Sequence, residues 1–210
     1  MRDDGLVFPV GIRSESPHPF RSFENGGNTL KLLRYGAPGQ EKPALLDAKG
    51  GLRDLSGIIP DLAGKALTSA SLAKIKAVAP ESLPLVSGSP RIGACVADVR
   101  NFIAVGLNFA DHAAETGAEI PKEPILFNKA PNCIMGPNDD VIIPKGSQKT
   151  DWEVELAIVI GDGGSYIEEK DAMAAIAGFC VCNDVSERAF QQERGGQWAK
   201  GKGCPTFGPL

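Results

Sequence analysis

Residues 152–160, Trp-Glu-Val-Glu-Leu-Ala-Ile-Val-Ile, constrain this chain more than any other segment. The run reads as a strand. Successive strand side chains point to opposite faces, so Glu153 and Glu155 project side by side from one face, while Val154, Leu156, Ile158 and Ile160 take the other. The glutamate face continues with Ala157 and Val159, which implies that it also leaves water. Two carboxylates held close on such a face repel each other and lose hydration. They stay ionised only where a cation or several hydrogen-bond donors compensate, and one hard metal ion meets that need economically.

A third acid follows. After Gly-Asp-Gly-Gly at 161–164, a helix-like stretch over about 168–176 leads to a second strand signal, 178–184, ending in Asp184. A helix between strands fits an α/β or α+β unit. If the two strands are neighbours, Asp184 completes a three-carboxylate site with Glu153 and Glu155. Oxygen ligands without paired His or Cys favour Mg²⁺, Mn²⁺ or Ca²⁺ over zinc. The residues alone leave a plainer reading open: Glu-x-Glu is also the pattern of a solvated antiparallel face, and Asp at a strand end is an ordinary turn cap.

His112 lies in the run Asn-Phe-Ala-Asp-His-Ala-Ala-Glu-Thr-Gly at 108–117. Asn108 can cap a short helix, Asp111 stands three residues on as in a capping box, and Gly117 can end it. His112 and Glu115 then become i, i+3 neighbours. A carboxylate beside an imidazole fixes its tautomer and raises its basicity, as deprotonation of water requires, although the same spacing describes a surface polar pair. Further on, Arg188 and Gln191 are three apart on a helical turn and can reach one ligand, with arginine offering a planar fork for a carboxylate. Lys202, between Gly201 and Gly203, can approach a ligand closely. An exposed loop of mixed charge is the alternative for this segment. His18, between two prolines, reads as a linker residue.

With 210 residues, 42% of them hydrophobic, the chain is long enough for one substantial core or two small domains. A net charge of −4 and the lack of a basic run argue against nucleic acid as a partner. Acidic small molecules need local positive charge instead, for which a metal, Lys129, Arg188 and Lys202 are candidates. No apolar run reaches the roughly 20 residues of a membrane span, and no signal peptide is recognisable, so a cytoplasmic protein is expected. Five cysteines without Cys-x-x-Cys spacing argue against structural zinc or a disulfide framework. Cys180 and Cys182 share a strand face as small core residues. The expected organisation is a disordered extension over 1–28, a small domain over 29–91 and a second domain over 92–210 that holds every chemical candidate. In the small domain the pattern predicts strands near 30–35 and 43–47, helices near 56–62 and 71–79, and a proline-marked linker over 80–90.

Together, these residues resemble the fumarylacetoacetate hydrolase (FAH) family, especially its short bacterial members. The matching segments are 106–115 (Gly-Leu-Asn-Phe-Ala-Asp-His-Ala-Ala-Glu), 124–129 (Pro-Ile-Leu-Phe-Asn-Lys), 136–139 (Gly-Pro-Asn-Asp), 149–157 (Lys-Thr-Asp-Trp-Glu-Val-Glu-Leu-Ala), 183–188 (Asn-Asp-Val-Ser-Glu-Arg) and 201–204 (Gly-Lys-Gly-Cys). The resemblance implies an α+β, mainly β fold: a mixed β-sandwich roll, dimeric, behind a small N-terminal α/β domain. It implies that Glu153, Glu155 and Asp184 hold Mg²⁺ or Mn²⁺ (Ca²⁺ as the third choice) against a keto or diketo acid. His112, oriented by Glu115, would activate water; Lys202 would stabilise a metal-bound enolate; Arg188, Gln191 and Lys129 would position the substrate. The implied activity is hydrolysis of a carbon–carbon bond in acylpyruvate-like substrates. The alternatives are a decarboxylase, isomerase or dehydratase/lyase of the same family, a truncated non-catalytic metal-binding fragment, or a calcium-binding β domain. Against the family pattern, Pro205 stands where Asp is common, the segment before Leu30 is atypical, and strands are expected beyond Gly208-Pro209-Leu210, so weak activity or instability is expected of the chain as it stands.

Overall fold

The computed structural model describes residues 30–210, and the extension expected over 1–28 lies outside them. The first four strands form one sheet. β1 (Leu32–Tyr35), β2 (Lys42–Leu46) and β3 (Leu52–Asp54) follow one another, α1 (Ser69–Lys76) comes next, and β4 (Ile92–Gly93) returns to close the antiparallel order β3-β2-β1-β4. Apolar residues of the sheet and α1 meet in one cluster, with Leu45, Leu55, Ile59, Leu62, Ile75 and Leu83 buried. Thr68 caps α1 by accepting the Ser71 amide at 3.4 Å. The helix expected over 56–62 is instead a turn, in which the Asp54 carboxylate takes the Ser56 amide at 2.6 Å. Pro60, which has no amide hydrogen, closes off helical continuation. Ile92, expected to open the second domain, belongs to the first sheet through the pairing Tyr35↔Ile92. Such a long-range pairing leaves no local pattern. The stretch expected as a linker also joins the sheet rim, where Leu85 bridges Arg53.

The rest of the chain is built from strands paired in twos. These are β5 (Phe102–Gly106), then after α2 (Ala110–Thr116) its antiparallel partner β6 (Ile125–Lys129), followed by β7 (Ile134–Met135), β8 (Thr150–Asp151), β9 (Val154–Ile160), β10 (Ile176–Asn183) and β11 (Ser186–Glu187). Two short helices, α3 (Arg188–Gln192) and α4 (Ala199–Lys202), precede β12 (Gly208–Pro209). β9 pairs with β10 and β8 with β11, both antiparallel, whereas β7 and β12 run parallel. The helix-like stretch before β10 is a 3-10 helix, Glu169–Ala175. The fold is thus mixed and mainly sheet.

The glutamate-bearing face of β9 is the inner one. Ala157, Val159, Cys180 and Cys182 pack with Ala94, Val96 and Leu210 in one cluster, and Cys133, Val185 and Phe207 form a second. The opposite face, with Val154, Leu156, Ile158 and Ile160 of β9 and Phe179 and Val181 of β10, is more than half exposed. All five cysteines are free thiols, and no helix among the described residues is long and apolar enough to cross a membrane.

A charged pair joins the first sheet to the rest. Arg91 grips both oxygens of Asp139 at 2.6 and 2.5 Å and donates to Glu41 at 2.9 Å, while within the first unit Arg34 holds Asp61 through two donors at 2.7 and 2.9 Å. The Arg91 guanidinium holds the Asp139 carboxyl below the usual carboxylate range. Because the folded pKa is depressed, the stabilisation is complete above the unfolded value of about 3.9 and disappears as pH falls through the lower folded value. Urea unfolding of Asp139→Asn at pH 7 should therefore show a loss of about 1–2 kcal/mol, the scale of charge-assisted hydrogen bonds. The gap to wild type should shrink in acid as Asp139 protonates.

Candidate metal and catalytic site

The register of the β9–β10 ribbon brings the acids together. Cys182 lies opposite Glu155 and Asn183 opposite Val154, and the ladder continues one step further with the Asp184 amide donating to the Glu153 carbonyl at 2.9 Å. The Asn183 side chain accepts the Glu153 amide at 3.1 Å, fixing that corner. Glu153, Glu155 and Asp184 thereby gather at one end of the ribbon. Burial, with help from the charges of Glu153 and Asp184, pushes the Glu155 carboxyl up, while Lys202 and His112 act in the opposite direction.

Three cations answer Glu153 and Asp184. Lys202 Nζ donates to Glu153 Oε2 at 2.6 Å and to Asp184 Oδ2 at 2.9 Å, and lies 5.3 Å from the centre of the Phe127 ring. Arg188 Nη2 lies 2.7 Å from Glu153 Oε1 and 2.7 Å from Asp151 Oδ2. Lys129 is 1% exposed and spends its ammonium on Asp184 Oδ1 at 2.5 Å, the Lys202 carbonyl at 2.6 Å and the Val185 carbonyl at 3.3 Å. An ammonium has three protons, and these are all committed. This corrects the sequence expectation for Lys129: it is a positioning residue that fixes Asp184 and the Lys202 backbone, with no proton left for a substrate. Arg188 and Gln191 do meet, at 3.2 Å.

Among the described residues, no group of three or more His, Cys, Asp or Glu is arranged to hold a metal ion. The Lys202 ammonium fills the space between Glu153 and Asp184. The donor set nonetheless suits a hard divalent cation, because it offers only carboxylate oxygens, and among the described residues no Lys or Arg pairs with Glu155. Residues and ion therefore fit chemically.

His112 lies on α2. The chain leaves β5 through Leu107, whose φ of 50° is rare for a side-chain-bearing residue. The helix starts at Phe109 without a side-chain cap, so Asn108 does not play the expected part, whereas Gly117 ends the helix at φ 65° as expected. His112 and Glu115 are both exposed, and no hydrogen bond or ion pair joins them among the described residues. Helical spacing makes them neighbours, but on an exposed face water satisfies both groups.

Sequence reasoning passed over three residues that build the site, Asp151, Asn183 and Glu187, and saw in Gly201 only room for a ligand. Asp151 shares the i, i+2, i+4 alternation with Glu153 and Glu155, a signal that could have found it. Asn183 and Glu187 act through hydrogen bonds that no motif announces. Gly201 is required by close approach: a Cβ there would lie 2.4 Å from the Glu187 carbonyl oxygen and 2.6 Å from the Gln191 amide nitrogen. Only glycine lets α4 come close enough for Lys202 to reach the acids.

A carboxylate cluster with lysine and arginine counter-charges, at the end of a strand ribbon in a mainly-β fold, defines the class of site: a charge-compensated acid cluster. The comparisons narrow that class. The C-terminal domain model of fumarylacetoacetate (FAA) hydrolase matches residues 101–210, and the chain belongs to that family. Proteins of Burkholderia cenocepacia and Burkholderia multivorans, each carrying the name "Putative hydrolase", are 61% identical over 181 residues, which is 86% of this chain and 64% of theirs. The chain thus spans somewhat less than two thirds of the curated relatives it matches. Among solved structures, a fumarylacetoacetate hydrolase of Exiguobacterium antarcticum is similar with a TM-score of 0.69 at 28% identity, covering 87% of this chain and 65% of that one. A 5-carboxymethyl-2-hydroxymuconate delta-isomerase of Mycobacterium smegmatis is similar with a TM-score of 0.60 at 29% identity, covering 86% and 63%. Hydrolases and isomerases thus share this architecture.

The close approach at Gly201 is directly testable. Gly201→Ala should cost about 1–3 kcal/mol in denaturant unfolding, the usual penalty for overpacking. An unchanged midpoint would mean that α4 can retreat without consequence.

Proposed function

We propose that this chain carries the acid–lysine half-site of a metal-dependent hydrolase that cleaves a carbon–carbon bond in acylpyruvate-like keto or diketo acids. The observation that supports the reading is the convergence of Glu153, Glu155 and Asp184 with Lys202 and Arg188 at one strand end. Glu153, Glu155 and Asp184 would hold Mg²⁺ or Mn²⁺, which when bound supplies Lewis-acid polarisation of the substrate oxygens. Every other step belongs to protein groups. Arg188, steadied by Gln191, receives the substrate carboxylate. His112 takes a proton from water as the water adds to the distal carbonyl. Cleavage of the carbon–carbon bond leaves a carboxylate and the enolate of pyruvate, whose oxygen Lys202 stabilises before carbon is protonated.

The separation of His112 from Glu115 favours a second reading, in which no water is activated and the same groups shift a proton within a 2-keto acid, as an isomerase or decarboxylase would. A homodimer, a β-sandwich roll and a cytoplasmic setting belong to the same proposal. The exposed apolar face of β9–β10 supports the first, and five free thiols support the last.

The test is a coupled assay for pyruvate from acylpyruvates with Mn²⁺ present. The hydrolase reading expects pyruvate in step with substrate loss, and a fall of about 10²-fold or more in His112→Ala, the range of general-base catalysis. Substrate loss without pyruvate would favour the isomerase reading, and no turnover of any keto acid would remove the enzyme reading for this chain.

A further inference from the structure

Glu187 is the most deeply buried acid near the site, 0% exposed, yet it touches none of the carboxylates above. No cation pairs with it among the described residues. Its charge is met by hydrogen-bond donors alone: the Ser147 hydroxyl, the Thr150 hydroxyl at 3.1 Å, the Lys149 amide at 3.2 Å and the Ala189 amide at 3.0 Å. Burial alone would raise its pKa, but these donors hold it below the usual range. The donors come from two separate pieces of chain. Ser147, Lys149 and Thr150 lie on the approach to β8, and Ala189 lies in the first turn of α3. The Arg188 amide donates to the Lys149 carbonyl at 2.9 Å, and β8 pairs with β11 through Ser186↔Asp151 and Glu187↔Thr150. One buried carboxylate therefore ties the approach to β9 onto the start of α3.

The residues next to this clamp are the ones that matter chemically. Asp151 follows Thr150 on one side and Arg188 follows Glu187 on the other. Asp151 Oδ2 accepts from Arg188 Nε at 3.0 Å and Nη2 at 2.7 Å, Glu153 pairs with Nη2, and Gln191 accepts from Nη1 at 3.2 Å. The three hydrogen bonds take three of the five guanidinium protons, with Glu153 met as an ion pair, and Gln191 leaves one proton on Nη1 for a ligand. We infer that Glu187 is a positioning residue: by clamping β8 to α3 it aims the remaining Arg188 donor, and so sets the affinity of the site for a small carboxylate. The inference rests on the proposed function only for the identity of that ligand.

The test uses Glu187→Gln, equal in shape but without the charge that the converging donors require, with Ser147→Ala as a milder variant that keeps the carboxylate. Oxalate serves as the carboxylate probe on the Mn²⁺-loaded full chain, followed by calorimetry, and the Arg188 side-chain ¹⁵Nε–H resonance is followed by NMR without metal or ligand. Glu187→Gln should weaken oxalate binding about tenfold or more and shift or broaden the Arg188 resonance, with Mn²⁺ affinity changed by less than about threefold. Ser147→Ala should move both readouts in the same direction by less. In Arg188→Gln the Glu187→Gln change should cost little more. A folded Glu187→Gln or Ser147→Ala that keeps both wild-type oxalate affinity and the wild-type Arg188 resonance overturns the inference. So would equal losses of oxalate and Mn²⁺ affinity, which mark general loosening. If wild type itself binds no oxalate, the proposed function fails, and the Arg188 resonance alone decides the positioning role.

Discussion

The Lys202 ammonium between Glu153 and Asp184 is the contact on which the rest of this structure depends. A lysine 3% exposed costs far more free energy to bury than its surroundings can return unless its charge is matched. Two carboxylates match it here, and Lys129 in turn neutralises the second oxygen of Asp184. The groups come from β6, the residue before β9, the residue after β10, and α4, so charge pairing joins segments that the hairpins alone leave apart. Removing any one partner would leave a buried charge uncompensated, which is why these elements should hold their places together.

Backbone geometry makes that pairing reachable. The β9–β10 register sets Glu153 and Asp184 side by side, Gly201 admits α4, and the Glu187 clamp holds α3 against β8. Cation and carboxylate balance also bears on ligand binding. Under the proposed function, Glu153, Glu155 and Asp184 would hold a divalent ion only if Lys202 gave up its carboxylate contacts, and the same lysine would then be free to stabilise an enolate oxygen.

Much of this was legible in the sequence, for physical reasons. The period-two alternation of β9 is imposed by strand geometry, so it disclosed both the strand and the shared face of Glu153 and Glu155. Gly117 marks a helix end through its left-handed conformation, and β1 and β2 carry clear apolar runs. What stayed hidden depends on partners distant in the chain. β4 belongs to the first sheet only through its pairing with β1, and the 56–62 segment looked helical until the Asp54 carboxylate and Pro60 were weighed. Lys129 in a strand gives no sign that Asp184 and two carbonyls consume its protons. The conventional hope that apolar Val154, Leu156 and Ile158 face a core also fails, because the acid-bearing face is the one that packs. The family resemblance supplied the roles of His112 and Lys202; the geometry sets Lys202 against Glu153 and Asp184, and no hydrogen bond joins His112 to Glu115 among the described residues.

The measurement that bears most directly on this account is a Mn²⁺ titration followed by electron paramagnetic resonance, on wild type, the double variant Glu153→Ala, Glu155→Ala, and Lys202→Met. If carboxylates neutralised by an internal lysine form a divalent-cation site, wild type binds one Mn²⁺ per chain, the double variant loses that binding, and Lys202→Met binds more tightly because no ammonium competes. Equal Mn²⁺ binding by wild type and the double variant, or weaker binding by Lys202→Met, would contradict it.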